Sequence, residues 1–442
     1  MATNTTSLLN LDQKLLEATG DWLQVTVTTA IAAAKHVTST ELINYDQGQN
    51  GRFDNRWVYI EDYANAGTER LFGSTSYSTA TGTAYVWGAN LLTDSANLAT
   101  VRISYSSWSE RKDCILRAID ENYPALHRRL DDRTLILGNA LPNGHFEDQT
   151  TSGTPDKWAF SNASGAKETT NTRGGTNAIK VTVSSGNGYI TLKSDNWRRI
   201  LDLQGKTVSF KCWALPEMAN DATLVIYTKQ ADGTAQTLSS TTTCPAGEFT
   251  LLELEDQTLN DNLVELEFRC KVTTNTKYVI FDDARVTGEY VHDYLLPVSF
   301  QRGYLSRAER QTFGSNDDIC DDISLSVPYE PVYGKEIVDD GSDKFLRIPY
   351  DTSGLNRLRL IGYQPLESLS AASDTITLSA EKVQVIIAKA AYLLVKKLGG
   401  PVGADDTEKY QSDMAMFDYD YRRLLTRHRM QTPTQTMDVT PL

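Results

Sequence analysis

The chain is 442 residues long, and 40% of its residues are hydrophobic and 23% are charged. This length exceeds what one hydrophobic core usually serves, and the composition excludes wholesale disorder, so we expect several folded domains. The formal net charge of −14 argues against a nucleic-acid-binding surface, because neutralising phosphates requires clustered lysine and arginine.

The cysteines and the apolar runs argue against several further classes of protein. Five scattered cysteines without a C-x-x-C pair argue against a disulfide scaffold and a structural zinc site, and we expect Cys212 and Cys270 to be small core residues. The first residues, MATNTTSLLNLDQKL, lack the basic start and apolar run of a signal peptide. No apolar stretch reaches the roughly 18 residues of a membrane span. We therefore expect synthesis in a reducing cytosol and no membrane partner.

The first part of the chain is predicted to contain a short helix and a small β domain. Residues 7–18 space their leucines as an amphipathic helix does, within an N-terminal arm over 1–20. From 21 to 108, runs rich in Val, Tyr, Trp and Thr alternate with Gly and Asn clusters, which indicates short strands.

The next segment, 109–137, is predicted to be helical. A serine before Glu110 is typical of a helix N-cap, and Pro124 should kink or end the helix near Asn122. The charged residues that follow are expected to form a solvated helix end: Arg128, Arg129, Asp131, Asp132 and Arg133.

Residues 138–290 show the most regular pattern. In VELEFRCKV, Leu266, Phe268 and Cys270 point one way, whereas Glu267 and Arg269 point the other. Short runs of the same kind, such as TVSFKCWAL and TLVIYTK, recur through this segment. They indicate an antiparallel sandwich with one core face.

A β-rich segment over 291–376 is predicted to follow the sandwich. Within it, KFLRIPYDTSGLNRLRLIGYQPL is typical of a two-strand hairpin with its turn at 351–354. Two acidic clusters, at 317–322 and 339–343, are expected to be solvated loops or loose cation sites.

The C-terminal segment over 377–428 is predicted to be helical. One helix should cover 380–398 and stop at Gly399, Gly400 and Pro401, and a second should cover 406–428. The tail over 429–442 is expected to be extended and flexible, or ordered only against a partner.

This layout favours a guest domain within a host domain, because helical segments precede and follow the sandwich. Residues 1–137 and 291–442 would form one discontinuous host, with 138–290 inserted at an exposed loop. The predicted fold class is therefore an α+β multidomain chain: a small helical bundle with a β domain, and an inserted antiparallel β-sandwich of the jelly-roll type.

The inserted segment resembles the jelly-roll carbohydrate-binding modules that accompany many glycoside hydrolases. The resemblance begins at NALPNGHFEDQTTSGTPDKW, continues through GGTNAIKVTV and LDLQGKTVSFKCWAL, and ends at FDDARVTGE. It implies the sandwich fold and, less directly, sugar binding, because such sandwiches also occur without a sugar site.

In that family the opening glutamate and the closing aspartates often hold a structural calcium ion. The matching residues are Glu147, Asp282 and Asp283, which would supply the oxygen ligands that calcium requires. The alternative is that these carboxylates only cap strands and satisfy turns. No other cofactor is expected.

Sugar binding would also require aromatic platforms on an open face. Trp213 and Tyr227 fall on the side opposite the apolar residues of their strands, and Tyr189 and Trp197 are further candidates. The alternative for all four is packing in or around the core.

The host segments resemble the head-to-tail adaptor (connector) proteins of tailed bacteriophages. The resemblance lies in SERKDCILRAIDENYPAL, in WVYIEDYANAGTERLFG, and in the run from LRIPYDTSG to AKAAYLLVKKL. Adaptors of this family form rings, commonly of twelve copies, beneath the portal. This implies a homo-oligomeric ring at the virion neck, made in the host cytoplasm. Its partners would be the portal protein and the next neck or tail protein, with DNA only as passing cargo.

A C-terminal segment of such adaptors often docks on the portal. The matching arm here would order on binding, with repeated contacts around the ring offsetting the entropic cost. Its candidate docking residues are Met430, Thr432, Met437, Val439 and Leu442.

The sequence contains no persuasive catalytic constellation, since its histidines are isolated and neither a G-x-S-x-G elbow nor a phosphate-binding loop occurs. We therefore predict a non-enzymatic structural virion protein whose outward sandwich binds surface glycans or neighbouring virion proteins. One alternative is a carbohydrate-binding accessory protein of polysaccharide degradation. Others are a different phage tail or fibre protein, or an enzyme with its site in the segment over 291–376.

Overall fold

The chain divides into two units. The computed structural model describes residues 5–31, 35–74, 76–94, 97–240, 243–288, 291–312, 327–349, 356–398 and 404–432. One unit comprises residues up to 128 together with 365–432, and the other comprises 129–364. This division places the strands that flank the sandwich in sequence in the same unit as the sandwich.

The described part of the chain contains helices and many short strands. The α-helices are α1 (Leu8–Thr19), α2 (Trp108–Glu121), α3 (Val298–Arg302), α4 (Ala380–Leu398) and α5 (Ala404–His428). The strands up to the sandwich are β1 (Thr5–Ser7), β2 (Gln24–Thr26), β3 (His36–Thr38), β4 (Trp57–Ile60), β5 (Glu69–Leu71), β6 (Thr83–Tyr85), β7 (Thr100–Ser104) and β8 (Arg128–Asp132). Those of the sandwich are β9 (Ala159–Ser161), β10 (Ala163–Glu168), β11 (Ala178–Val183), β12 (Gly188–Lys193), β13 (Thr207–Pro216), β14 (Ala222–Gln230), β15 (Ala235–Ser239), β16 (Thr250–Thr258), β17 (Leu263–Val272) and β18 (Tyr278–Thr287). The remaining strands are β19 (Asp293–Leu295), β20 (Tyr304–Gln311), β21 (Tyr329–Pro331), β22 (Glu336–Asp339), β23 (Lys344–Arg347), β24 (Leu358–Gln364) and β25 (Thr375–Thr377).

The predicted helices form close to their expected bounds, and local capping explains where α1 and α2 begin and end. Ser7 accepts a hydrogen bond from the Asn10 N–H at the start of α1, and Gly20 ends this helix in the left-handed conformation. At α2, Ser107 and Glu110 form a reciprocal capping box, and the helix ends before Asn122, as predicted. No described helix has both the length and the apolar character needed to cross a membrane.

The first unit contains a helical core and a separate β core. Apolar residues of α1, α2 and α4 pack together, and Phe417, Tyr421, Leu424 and Leu425 of α5 cover them from one side. The second core combines residues of the four-stranded sheet β2-β7-β4-β5 and the pair β3-β6, such as Val58 and Val101, with residues between the strands, such as Phe72.

A buried charge cluster joins α1, β7 and α2 within the first unit. Asp12 is fully buried and accepts hydrogen bonds from Arg111 at 2.5 Å and from Arg102 at 3.1 Å. Arg111 also donates to the Ser104 hydroxyl at 2.6 Å. A buried ion of this kind is tolerated only while its partners remain in place.

The sandwich consists of two antiparallel five-stranded sheets in the orders β10-β11-β18-β13-β16 and β15-β14-β17-β12-β9. The chain passes repeatedly from one sheet to the other, as a jelly roll does. Alternate residues of both sheets meet in one core, where Phe210 of one sheet packs edge-to-face against Phe268 of the other at 5.4 Å. Cys212 and Cys270 are fully buried in this core, as predicted.

The predicted hairpin over KFLRIPYDTSGLNRLRLIGYQPL is wrong. β23 pairs with β19 and β22, whereas β24 lies in the sheet β21-β20-β24-β8, so the two strands belong to different sheets. The expected turn at 351–354 lies outside the described residues. A hairpin does form one strand earlier, between β22 and β23, and the acidic cluster at 339–343 makes its turn. The cluster at 317–322 also lies outside the described residues.

The prediction of a solvated helix end at Arg128, Arg129, Asp131, Asp132 and Arg133 is also wrong. Residues 128–132 form strand β8 beside β24. Asp131 accepts two hydrogen bonds from the Arg359 guanidinium, at 2.9 and 2.6 Å. The bonds from Arg359 lower the pKa of Asp131, burial raises it, and a hydrogen bond from Arg133 lowers it further. The result is a pKa of about 2. Pairing with β24, far along the chain, therefore determines that this segment is a strand rather than a helix end.

Replacing Asp12 with alanine should lower the free energy of unfolding by about 3–5 kcal/mol, because it leaves the Arg111 guanidinium buried without a carboxylate. Urea unfolding followed by circular dichroism measures the change. The matched control is Arg117→Ala on the same helix, whose pair with Glu121 is exposed, and it should cost less than about 1 kcal/mol. Equal effects of the two substitutions would contradict this account of the cluster.

Candidate functional site

The outer face of the β15-β14-β17-β12-β9 sheet carries a cluster of aromatic and charged side chains. Register places Thr191 opposite Arg269 and Lys193 opposite Glu267 on β12 and β17. On the other side of β17, Glu267 lies opposite Tyr227 of β14. We call this cluster the Arg269 face, and it consists of Tyr189, Thr191, Lys193, Tyr227, Glu267 and Arg269.

Arg269 lies between two tyrosine rings on this face. Its guanidinium carbon is 4.8 Å from the ring centre of Tyr189 and 4.4 Å from that of Tyr227. Both tyrosines are partly exposed, whereas most of the arginine side chain is covered. Two cation–π contacts therefore hold the guanidinium in one place and orient both rings.

Glu267 is buried at the centre of the Arg269 face, although it lies on the side of β17 away from the core. Its carboxylate accepts hydrogen bonds from Arg269 at 2.7 Å and from the Thr191 hydroxyl at 3.1 Å, and Lys193 lies at 3.2 Å. Burial by itself raises the pKa of Glu267, but Arg269 and Lys193 outweigh burial and lower this pKa. The carboxylate is therefore ionised at neutral pH and fixes the directions of both cations.

The net charge of this outer surface is opposite to that of the whole chain. Its outward side chains include four basic residues and two acidic residues, whereas the chain carries a formal charge of −14. The basic residues are Lys193, Lys229, Arg269 and Lys271, and the acidic residues are Glu265 and Glu267. Such a surface attracts anionic groups.

The structure brings together two of the four predicted aromatic platforms. Tyr189 and Tyr227 lie on the Arg269 face, whereas Trp213 lies on β13 in the opposite sheet, where the Arg173 guanidinium is 4.5 Å from its ring. Trp197 precedes a 3-10 helix, and its ring centre is 6.0 Å from that of Phe345. These two tryptophans therefore do not join the tyrosines in one site.

Sequence reasoning missed the roles of Glu267, Arg269 and Lys193. The signal for two of them was present, because the alternation of VELEFRCKV already placed Glu267 and Arg269 on the outward side of their strand. The local sequence pattern could not show that β17 pairs with β12 and β14, because these pairings span up to about 80 residues of sequence. The pairings bring the tyrosines to either side of Arg269.

Glu147, the first of the three predicted calcium ligands, has both carboxylate oxygens occupied by hydrogen bonds. Oε1 accepts the N–H groups of Thr176 and Asn177 at 2.5 and 2.9 Å. Oε2 accepts the Thr176 hydroxyl at 2.7 Å and the Asn177 amide at 3.0 Å. Gly175 is required beside it, because a Cβ there would lie 1.8 Å from Oε1.

The two aspartates at the end of the sandwich are also engaged. Asp282 accepts the backbone N–H groups of Arg173 and Gly174 at 2.7 and 3.1 Å. Burial, and then the charge of Asp283, raise the pKa of Asp282 well above its ordinary value. Asp283 binds the Arg357 guanidinium at 2.6 Å in a buried ion pair.

This donor set does not fit a calcium ion. N–H groups, a hydroxyl and an arginine occupy positions that a cation would need, and calcium requires oxygen ligands that are neutral or negatively charged. Within the described residues, no group of three or more His, Cys, Asp or Glu side chains is placed to hold a metal ion. Glu147 and Asp282 accept backbone N–H groups of the loop at 173–177, as the alternative interpretation of these carboxylates predicts. The calcium site itself stays a prediction.

Part of the predicted docking arm is described. The Met430 N–H donates to the Ala125 carbonyl at 2.9 Å, and its side chain packs against the helical core of the first unit. Thr432 is exposed. Met437, Val439 and Leu442 lie outside the described residues.

No protein-family profile and no curated protein sequence matches this chain. A xylan-binding domain from CBM 22 is similar in structure, with 14% identity and a TM-score of 0.29, and the match covers 35% of this chain and 98% of that domain. The CBM22-1 xylan-binding domain from Paenibacillus barcinonensis Xyn10C has 12% identity, a TM-score of 0.28, and coverages of 37% and 99%. The enzymatically active domain of bacteriophage CBA120 tailspike protein 4 has 13% identity, a TM-score of 0.26, and coverages of 34% and 21%. Identities and TM-scores this low give no argument about function, and the sandwich fold rests on its own strand order.

Calcium should leave the thermal stability of the chain unchanged, because its three candidate ligands already accept hydrogen bonds or an ion pair. Differential scanning fluorimetry with millimolar calcium, and with a chelator, measures the melting temperature. A calcium-dependent rise, removed by the chelator and by Glu147→Gln, would instead restore the calcium site, because a ligand that binds the folded state raises its stability by mass action.

Proposed function

We propose that the sandwich is a glycan-binding module that holds an anionic glycan across the Arg269 face. The observation that carries this proposal is Arg269 between Tyr189 and Tyr227, above a buried Glu267. Rigid aromatic rings beside fixed charged donors are suited to sugar rings, which present apolar faces and hydroxyl edges.

The charges of the face favour an anionic glycan over a neutral one. Four basic and two acidic side chains point outward, and Glu267 already neutralises part of two of the cations. The guanidinium of Arg269 retains further N–H donors, and Lys229 and Lys271 add charge on either side. A carboxylate of a uronic acid or a phosphate of a teichoic acid supplies the matching acceptor.

Glu267 would act as a positioning residue rather than a ligand contact. Its oxygens accept from Thr191 and Arg269 and face Lys193, so it holds these groups in place before the glycan arrives. A preorganised site of this kind loses little conformational entropy on binding.

We further propose that the rest of the chain serves as a ring-forming, non-enzymatic scaffold at the virion neck. The sequence resemblance to phage adaptors supports this proposal, with the portal and the next neck or tail protein as neighbours and the tail from Met430 as docking arm. A specific feature of α5 also favours a ring. Met416 and Tyr419 of this helix are half or more exposed, whereas its other apolar stripe covers the helical core. We assign these two exposed side chains to the contact with a second copy of the chain.

Replacing Tyr189 or Tyr227 with alanine should weaken binding of an anionic polysaccharide about tenfold, because each ring supports Arg269 and offers a stacking surface. Affinity electrophoresis of the full chain in polygalacturonate, in a teichoic acid and in neutral dextran measures the retardation. Wild-type chain should be retarded by one of the two anionic polymers and less by dextran, and added salt should reduce the retardation.

The matched control for these variants is Trp213→Ala, which removes an aromatic side chain from the opposite sheet. Arg269→Lys provides a second variant that keeps the charge but loses the planar contact with both rings. Equal retardation in dextran would overturn the preference for anionic glycans. Loss of binding in Trp213→Ala alone would move the site to the other sheet.

The double substitution Met416→Glu with Tyr419→Glu should convert a ring into monomers, because it places like charges in an apolar contact between copies. Native mass spectrometry and negative-stain electron microscopy of the full chain measure the oligomer. The control is Arg422→Ala, which removes an exposed charge from the same helix and should leave the ring intact. A wild-type chain that stays monomeric at high concentration would contradict this part of the proposal.

A further inference from the structure

Glu265 lies next to Glu267, at the edge of the Arg269 face. Both side chains point outward from β17, because residues two apart on a strand lie on the same side of the sheet. Glu267 is almost fully buried, whereas Glu265 is partly exposed. The two carboxyl groups are within hydrogen-bonding distance of each other. A pair of acids in direct contact therefore stands beside Arg269, and Glu267 is the member that binds this arginine.

Two carboxyl groups in contact take up one proton readily, because their negative charges repel each other and a shared proton forms a hydrogen bond between them. Burial raises the pKa of Glu265, and the hydrogen bond and charge of Glu267 raise it further, against the opposite effects of Lys193 and Lys229. Burial also raises the pKa of Glu267, but Arg269, Lys193 and Glu265 outweigh burial and lower this pKa. The first proton therefore resides on Glu265, and Glu267 accepts the hydrogen bond from it.

The charged groups around Glu265 come from the strands on both sides of β17. Register places Lys229 of β14 opposite Glu265, and Lys193 of β12 opposite Glu267. Lys271 lies further along β17, and Asp195 lies in the turn that follows β12. The outer strands β9 and β15 carry no ionisable side chain. Lysine, arginine and tyrosine keep their charge states between pH 5 and pH 7.5, so within these five strands only the two glutamates can change charge in this range.

Protonation of Glu265 changes the charge of this outer surface and leaves the Arg269 face intact. Four basic and two acidic outward side chains become four basic and one acidic, so the attraction for an anionic group increases. Glu267 stays ionised, so its hydrogen bonds with Arg269 and Thr191 remain. A glycan carboxylate with a pKa of about 3.5 is still ionised at pH 5. The protein and the glycan therefore do not lose their charges together.

We propose that the pair of Glu265 and Glu267 regulates the Arg269 face by pH, so that the face binds an anionic glycan more tightly in mildly acidic than in neutral solution. This inference rests on the glycan-binding function proposed for this face. Binding and protonation are linked reciprocally, so the anionic glycan also favours uptake of the proton by Glu265.

Affinity electrophoresis of the full chain at pH 7.5 and at pH 5.0, in polygalacturonate and in a teichoic acid, tests the proposal. The retardation at several polymer concentrations gives a dissociation constant at each pH. For the wild type we expect this constant to fall about two- to fivefold from pH 7.5 to pH 5.0, the effect of removing one exposed negative charge. Glu265→Gln cannot ionise, so it should bind at pH 7.5 as tightly as the wild type does at pH 5.0.

The matched control is Glu253→Gln, which removes a carboxylate from the opposite sheet and should keep the pH dependence of the wild type. Melting temperatures at both pH values identify any variant that fails to fold. Carbon-detected NMR of the glutamate carboxyl groups provides a readout without a glycan, and Glu265 should titrate at a higher pH than Glu267.

The outcomes separate the regulation from the binding function. A dissociation constant that is the same at both pH values in the wild type, or an unchanged pH dependence in Glu265→Gln, would overturn the regulation and leave glycan binding in place. The absence of binding to either polymer at both pH values would refute the glycan site itself, and the regulation with it.

Discussion

The buried pair between Asp283 and Arg357 is the contact on which the arrangement of the second unit depends. It connects the last strand of the sandwich to the residue that precedes β24, and both side chains are almost fully covered. The pair exists because β18 carries a bulge against β13, where Lys211 faces Arg285 but Trp213 faces Asp282. Asp283 adopts a positive φ of 48° at this bulge. Both consecutive carboxylates lie beside Gly174, where Asp282 accepts the backbone N–H and Asp283 binds Arg357.

All three carboxylates of the predicted calcium site have partners within the protein. Asp282 accepts hydrogen bonds from the backbone N–H groups of Arg173 and Gly174. Glu147 accepts the backbone N–H of Thr176, in the loop that follows. Asp283 turns towards Arg357 instead. The guanidinium of Arg357, the residue before β24, balances part of the negative charge that a bound cation would otherwise balance. Breaking a buried pair of this kind leaves one charge buried without a partner, which is costly. The pair therefore holds Asp283 and Arg357 together.

Local patterns predicted much of the fold, and long-range pairing accounts for what they missed. The alternation in β17 and the capping box at Ser107 depend only on residues close in sequence, and the structure contains both. The segment 128–133 looked like a solvated helix end because its composition is charged, yet pairing with β24 and the bond between Asp131 and Arg359 make it a strand. No local pattern contains that information.

The same distinction applies to the candidate site. Tyr189 and Tyr227 could be chosen one at a time from strand patterns, but Trp213 and Trp197 satisfied similar criteria and lie elsewhere. Choosing between them requires knowing which strands flank β17, and that order follows from the topology of the whole sandwich. Strand order, rather than residue type, therefore separates the platforms that share a face from those that do not.

The two outer faces of the sandwich differ in how their charges are balanced, and this difference is the strongest reason to assign binding to one of them. On the β13 side, Lys211 lies 2.9 Å from Glu253 and 2.8 Å from Glu255, so its charge is matched by two carboxylates. On the β17 side four basic residues exceed two acidic ones, and Glu267 lies 3.2 Å from Lys193 and 2.7 Å from Arg269. Strand β17 is central in its sheet, and its inward residues Phe268 and Cys270 are fully buried. The Arg269 face is thus built on a central strand, whose pairing on both sides fixes the positions of its outward side chains.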